Sequence, residues 1–460
     1  MRIAIITFHD TANFGATLQC AALSHFLDDK GHDVVVINYL PRYVRDKKSI
    51  FKEFKNINSN SNKVKAFVKG FCYMTHSKEI KKKNKKYDVF IANNITTTNK
   101  YLNGDELSAN PPKADLFICG SDQIWNPALT GGKLDKAFFL TFASGRKASY
   151  GASVGEMNIE TYAEEIKGLT SDFLRISVRE HSVATALANV LKRDVSTVLD
   201  CTLLLNKEDY YPMEVDYDIN NRYLLLYNIQ NSSVAISIAR RIAKERKLEI
   251  IDISPNPFVR FEGTKKILDI GPGEFLSLFH RADYVVTNSF HGTVFSIIYE
   301  KQFIVIPHST RSSRVSNLLR AVGLTDRIAV EPGYMEKSQI DYGMVKEKLS
   351  KERELSTRFL YSITEEVGNR SRSNDAGKNS NDACSDEQKM TIGDEKPYPD
   401  LVKQRAYCCG CEACVNICSR TAIEMKRDYE GFLYPYVDRD RCIKCYLCIE
   451  ICRFKKDLAY

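Results

Sequence analysis

Residues 3–40 read IAIITFHDTANFGATLQCAALSHFLDDKGHDVVVINYL, and this stretch decides the fold. IAIITF is an apolar run of strand length that ends in a polar turn containing glycine, HDTANFGA. TLQCAALSHFLDDKG then repeats apolar residues at helical spacing and stops on Gly31 after a charged last turn. DVVVINYL is a second strand. Strand, turn, helix and strand within about 40 residues form a βαβ unit, which implies a parallel sheet.

Outward from this unit the alternation continues. ADLFICGS is another buried-type strand ending in a polar loop, SDQIWNP; KASYGASV, LRISVRE and STVLD are further strands, with helices between them. They close a first lobe over residues 1–205. A second series opens at RYLLLYNI and runs through LEIIDIS, YVVTNS and QFIVIP, each followed by a helical pattern, to about residue 366. The expected fold class is α/β, with two doubly wound Rossmann-like lobes and a cleft between them. Ligands in such sheets sit beyond the carboxyl ends of strands. Residues 367–403 are polar with almost nothing to bury and read as a flexible linker. A small α+β domain follows at 404–460.

At 460 residues the chain exceeds one hydrophobic core. Its net charge of +8 is uneven: residues 42–100 hold 16 Lys/Arg against 4 Asp/Glu, so this basic insertion carries more than the whole excess. Interleaved aromatics (Phe51, Phe54, Phe67, Phe71, Tyr73, Tyr87, Phe90) suggest amphipathic helices. A solvated helical face is the plain reading, and peripheral contact with an anionic membrane surface or polysaccharide is the alternative; a nucleic-acid partner is not expected. No apolar run approaches the roughly 18 residues that span a bilayer, and the first residues lack a signal-peptide cleavage pattern. The expected location is cytoplasmic, with the inner face of the membrane as the peripheral option.

Nine of the 14 cysteines fall between Cys408 and Cys452, a crowding that reads as metal ligation. Cys408, Cys411, Cys414 and Cys418 have the spacing Cys-x2-Cys-x2-Cys-x3-Cys, and Cys442, Cys445, Cys448 and Cys452 repeat it. Two-residue gaps let three thiolates of a run wrap one cubane while the fourth reaches the other cluster. Two [4Fe–4S] clusters follow, one on Cys408, Cys411, Cys414 and Cys452, the other on Cys442, Cys445, Cys448 and Cys418. Zinc sites favour C-x2-C pairs at wider separation. Residues 404–455 resemble bacterial two-cluster ferredoxins, with Ser419 and Arg453 where a proline usually follows the fourth cysteine, and with Cys409 as an extra thiol. The module implies an electron-transfer, redox-sensing or structural role, with a redox protein as partner in the first case.

Three loops at strand ends carry polar residues that no core would select: Asn13-Phe14-Gly15, Ser121-Asp122-Gln123 and Ser289-Phe290-His291-Gly292. The last opens a helix, whose N-terminus favours an anion. The strings NFGATLQ, GSDQIWNP, SYGAS, ISVRE, VLD–TLLL, SFHGTVFS and SSRVSNLLRAVGL occur in this order. Together they resemble the polysaccharide pyruvyltransferase family over residues 1–365, with Cys201 where relatives tend to have proline. The resemblance implies a GT-B-like fold and transfer of the enolpyruvyl unit of phosphoenolpyruvate to hydroxyls of a lipid- or nucleotide-linked sugar. Phosphoenolpyruvate is a small trianion. Arg179 is placed to fork onto its carboxylate, and Arg311 and Arg314 to hold phosphate. His291, with Asp122 as a second candidate, suits the proton transfers. Asn13, Gly15, Ser121, Ser289 and Gly292 are the expected substrate-binding residues.

Plainer roles compete: a histidine at a helix start can cap or simply be buried, Arg179 can form a structural ion pair, and Asp122 can cap its turn. Two other functions fit the same chain. One is a glycosyltransferase using a sugar nucleotide in the two-lobed cleft. The other is a ferredoxin-linked redox protein, against which stands the absence of a G-x-G-x-x-G fingerprint.

Overall fold

The computed structural model describes residues 1–48, 75–155, 157–307, 312–334 and 338–376, then 401, 413–418, 420–427, 433–439, 441, 442 and 448. The chain divides into two compact units, Met1–Ser380 and Asn381–Tyr460.

The first unit holds two parallel sheets. In the N-terminal lobe, β1 (Arg2–Ile6), β2 (Asp33–Val36), β3 (Leu116–Cys119), β4 (Arg146–Ser149) and β5 (Phe173–Arg175) lie in the order β2-β1-β3-β4-β5. Ile3 pairs with Val34 on one side and Leu116 on the other. Ile3 to Ile6 and Leu116 to Cys119 are all buried, because a parallel sheet is covered on both faces. A short parallel pair, β6 (Ser177–Val178) and β7 (Ser196–Thr197), adjoins this lobe. The C-terminal lobe contains β8 (Tyr223–Tyr227), β9 (Glu249–Asp252), β10 (Lys265–Lys266), β11 (Tyr284–Thr287) and β12 (Gln302–Val305) in the order β10-β9-β8-β11-β12.

In doubly wound sheets the crevice opens where the strand order reverses. That point lies between β1 and β3 in the first lobe and between β8 and β11 in the second. The loops 7–13, 120–123 and 288–291 leave the sheets there.

The lobes share one core. Phe14 stacks on Phe275 at 4.5 Å and meets Tyr227 edge-on at 6.1 Å, and the buried cluster runs from Ile3 and Leu18 to Leu225 and Phe295. The last helix, Tyr342–Ala376, returns to the first lobe. Arg353 donates there to the carbonyls of Leu203 and Leu205, and the Ser356 hydroxyl accepts from Leu199 N. Two Rossmann-like lobes with a final helix crossing back make the GT-B arrangement. That helix runs ten residues beyond residue 366, into the stretch read as linker, because the sequence after Val367 loses its apolar stripe but contains no proline to stop the hydrogen-bond ladder. Residues 377–400 lie outside the described residues.

Of the basic insertion, residues 49–74 lie outside the described residues, with Phe51, Phe54, Phe67, Phe71 and Tyr73. The described helix Ser77–Asn94 is not wholly a solvated face. It buries Tyr87 and Phe90, pairs Lys86 with Glu274 at 2.6 Å and Lys82 with Asp269 at 2.5 Å, and so bridges to the second lobe. Among the described residues no helix is long and apolar enough to cross a membrane.

The second unit has a short helix, Ala413–Asn416, and an antiparallel hairpin of β13 (Ile423–Arg427) and β14 (Leu433–Val437), with Ile423 opposite Val437. Leu401, Cys414, Ile423 and Cys448 form its small buried core.

Candidate active site

The site is built around Asp200, an acid to which the sequence reading gave no role. It lies three residues beyond β7 and caps the turn Cys201–Leu204: its Oδ1 accepts from Thr202 N at 3.1 Å and from the Thr202 hydroxyl at 2.6 Å. Its other oxygen gathers the remaining groups. Arg179 Nη1 donates to Oδ2 at 2.5 Å, the buried Ser121 hydroxyl approaches it at 3.5 Å, and His291 Nε2 stands 3.7 Å away. The last of these is an ion-pair separation, too long for a hydrogen bond.

Each partner arrives by local rules. Asn13 caps the helix Phe14–Asp29 by accepting from Ala16 N at 3.2 Å, which sets Gly15 in the first turn against the His291 ring. Asp122 leaves β3 with φ of +82°, a left-handed conformation that aspartate tolerates better than most residues. Its Oδ1 accepts from Gln123 N at 2.8 Å and from Arg179 Nη2 at 3.4 Å. Backbone strain of this kind concentrates at functional sites. On the second lobe, Ser289 caps the helix Phe290–Ile298 by accepting from Gly292 N at 3.3 Å, and His291 occupies its first turn. Gly292 is held by close packing, since a Cβ there would stand 2.3 Å from Thr287 Oγ1. The site therefore joins Ser121, Asp122, Arg179 and Asp200 of one lobe to His291 of the other.

Burial alone would raise the Asp200 carboxyl. The His291 ring and Arg179 guanidinium, with the Thr202 hydroxyl, outweigh it and hold the group well below the usual carboxylate range. Arg179 is itself raised: burial opposes its charge, but Asp200, Asp122 and Glu180 more than compensate. Arg179 Nε and His291 Nε2 are buried and lack a hydrogen-bond partner among the described residues.

These positions correct part of the sequence reading. The two terminal nitrogens of Arg179, expected on a substrate carboxylate, engage Asp200 and Asp122 instead, and the side chain is 3% exposed. The Ser289 hydroxyl and Gly292 N are used in the helix cap. Arg311 lies outside the described residues. Arg314 stands 5.5 Å from the centroid of Phe290, whose ring Arg179 also approaches at 5.7 Å.

Two cavities flank the centre. One, of about 640 Å³, is lined by Arg179, Asp200, Phe290 and Arg314. The other, of about 450 Å³, lies between the lobes and reaches Asn13, Lys47, Lys83 and Asp122. Arg179 spans the two through its pairs with Asp200 and Asp122. The string VLD–TLLL contributes to the family resemblance but gives Asp200 no role, and Lys47 and Lys83 belong to a charge run.

In the second unit, Cys414 and Cys448 are buried with Leu401 and Ile423, and Cys418 Sγ accepts from Ala422 N at 3.3 Å. Sulfur in an apolar pocket with a backbone N–H aimed at it suits thiolate ligands of an iron–sulfur cluster. Cys442 is half-buried, while Cys408, Cys411, Cys445 and Cys452 lie outside the described residues.

The GT-B-like arrangement places Asp122, Asp200 and His291 at the crevice where both strand orders reverse. The family model for polysaccharide pyruvyl transferase matches residues 13–310, and the chain belongs to that family. A 4Fe-4S dicluster domain matches residues 407–456. No curated protein matches the chain. Among solved structures it is similar to a protein assigned as a UDP-N-acetylglucosamine 2-epimerase from Listeria monocytogenes, at 12% identity and a TM-score of 0.44 over 79% of this chain and 95% of that one. The UDP-GlcNAc 2-epimerase of Methanocaldococcus jannaschii gives 13% identity and a TM-score of 0.41 over 76% and 92%. The glycosyltransferase SnogD from Streptomyces nogalater gives 12% and 0.34 over 80% and 99%.

Proposed function

We propose that the chain transfers the enolpyruvyl unit of phosphoenolpyruvate onto hydroxyls of a lipid- or nucleotide-linked sugar destined for a surface polysaccharide. The observation that carries this reading is the meeting of His291 with Asp200 across the crevice, beside a cavity lined by Arg179 and Arg314. Phosphoenolpyruvate binds with its anionic end toward Arg314. His291 delivers a proton to C3, which makes C2 electrophilic. A sugar hydroxyl then adds to C2 as Asp122 takes its proton. Inorganic phosphate leaves from C2 when a second hydroxyl closes a ketal, and the proton of that hydroxyl departs with the phosphate. Asp200, 3.7 Å from the imidazole, offsets positive charge on it. Arg179 is a positioning residue that holds both acids in register.

The reaction is redox-neutral, so the second unit adds a separate capacity. Two [4Fe–4S] clusters, on the two runs of four cysteines, supply one-electron transfer when bound and fit a redox partner or a redox-sensing role.

The test is phosphate release from phosphoenolpyruvate by anaerobic protein, offered pooled lipid- and nucleotide-linked sugars. Acceptor-dependent release supports the assignment. Absence of release with any acceptor, together with binding of a sugar nucleotide, replaces it with glycosyl transfer.

A further inference from the structure

Gln123, the residue after Asp122, lines two cavities. One is the space between the lobes that Asp122 also lines. The other, of about 400 Å³, is completed by Asn126, Met157, Asn158, Thr161 and Tyr162, and none of the described residues lining it carries a charge.

The Gln123 amide is oriented from the backbone outward. Ala128 N donates to Asn126 Oδ1 at 3.1 Å in the cap of the turn Pro127–Leu129, so Asn126 Nδ2 faces the other way. There it donates to Gln123 Oε1 at 2.9 Å. Gln123 Nε2 is left with its N–H groups directed away from Asn126 and with no acceptor among the described residues. Both side chains are held tightly, Gln123 at 7% exposure and Asn126 at 8%. Gly155, at φ of +64°, closes on the pair: a Cβ there would stand 2.4 Å from Asn126 Nδ2 and 2.5 Å from Gln123 Oε1. A fixed donor in a nearly buried side chain is costly until a ligand oxygen meets it. Tyr162 adds a half-buried aromatic ring to the lining. Neutral amides beside a ring suit a neutral polyhydroxyl ligand, whereas a phosphate or carboxylate finds no cation there.

We infer that the second cavity is a subsite for a neutral sugar ring, joined by a glycosidic bond to the sugar that reacts beside Asp122. Gln123 is the specificity-determining residue, and its Nε2 donates to an oxygen of that neighbouring ring. The acceptor is then a disaccharide or longer, so a glycosyl transfer must precede pyruvyl transfer. This order of reactions rests on the pyruvyl-transfer reading, whereas the sugar subsite stands on the cavity alone. A nucleoside fits the connectivity less well, because the diphosphate between it and the reacting sugar requires cations that the lining lacks.

The experiment is calorimetric titration of the full chain with methyl glycosides of glucose, galactose, mannose and N-acetylglucosamine, and with α- and β-linked disaccharides of each. Uridine and phosphoenolpyruvate are titrated separately. At least one disaccharide should bind about tenfold or more tightly than its own methyl glycoside. Tyr162→Ala should remove that advantage and leave the methyl glycoside unchanged, since Tyr162 lines the second cavity and not the first. Gln123→Glu keeps the bond from Asn126 but presents an acceptor in place of the donor. It should weaken the disaccharide about tenfold while the melting temperature holds and phosphoenolpyruvate affinity stays within about twofold. Four results each overturn the subsite: no saccharide binding, no disaccharide advantage, unchanged disaccharide affinity in either variant, or uridine binding more tightly than every disaccharide. Gln123-dependent disaccharide binding without phosphate release from phosphoenolpyruvate keeps the subsite and removes the pyruvyl-transfer reading. Phosphate release with methyl glycosides and no disaccharide advantage keeps that reading and removes the subsite.

Discussion

Gly15 is the bed on which the His291 imidazole lies: a Cβ built on Gly15 would stand 2.0 Å from His291 Nδ1. Glycine to alanine within a helix ordinarily stabilises by up to about 1 kcal/mol. Here the methyl must push the ring away. Gly15→Ala should therefore fail to raise the melting temperature and should lower turnover by about 10²-fold, the penalty of a misplaced catalytic group. Full turnover in this variant would detach His291 from the chemistry.

His291→Asn keeps much of the shape and one hydrogen-bonding edge but removes the proton carrier. Phosphate release should fall by about 10²–10⁴-fold with little change in melting temperature. A lowered melting temperature with turnover intact marks the histidine as structural.

Arg179 holds two acids at once, so its loss is a matter of folding as well as rate. Arg179→Met leaves Asp200 and Asp122 without their cation, and removing one partner of a buried pair costs about 3–5 kcal/mol. Arg179→Lys keeps the charge but not the fork, and its stability should fall between the two. In the lysine variant kcat should drop more than KM for phosphoenolpyruvate rises. The reverse pattern would return Arg179 to direct substrate binding.

The Asp200 carboxyl titrates well below its usual range in the folded chain. Its stabilising contribution is thus fully present above the unfolded value of about 3.9 and is lost as pH falls below that toward the folded value. The difference in unfolding free energy between wild type and Asp200→Asn should stay constant from about pH 8 to pH 5 and narrow below about pH 4. A difference that narrows instead between pH 7 and pH 5 would contradict the ionised, buried pair.

Anaerobically prepared protein should hold about eight irons per chain, from two clusters of four. Cys414→Ala and Cys448→Ala change different clusters in the assigned ligand sets, so each should reduce iron by about half while the double variant removes most of it. Stoichiometric zinc in iron-replete, anaerobic material would overturn the cluster assignment.

The parallel sheets were legible because residues 3–40 set apolar runs of strand length around a helical period, and polar loops at strand ends marked the crevice. SFHG placed His291 at a helix start for the same reason. What stayed hidden depends on chain reversal between distant segments. Asp200 acquires its meaning only when β6 brings Arg179 and the second lobe brings His291 to it. The Arg179 fork reads as a substrate contact because an arginine after a strand does not disclose which acids will meet it. Lys47 and Lys83 were lost in a basic run whose composition is the same whether it faces solvent or a cleft.

Phe14 of the first lobe lies in the aromatic stack of the second, while Arg353 fastens the last helix to carbonyls of the first. Neither half retains an intact interior when the other is gone. Heating should melt Met1–Ser380 in one calorimetric transition, with calorimetric and van't Hoff enthalpies in agreement. A fragment ending at residue 205 should expose the Phe14 face and aggregate. Cooperativity, more than any hinge, sets the boundary of this folding unit.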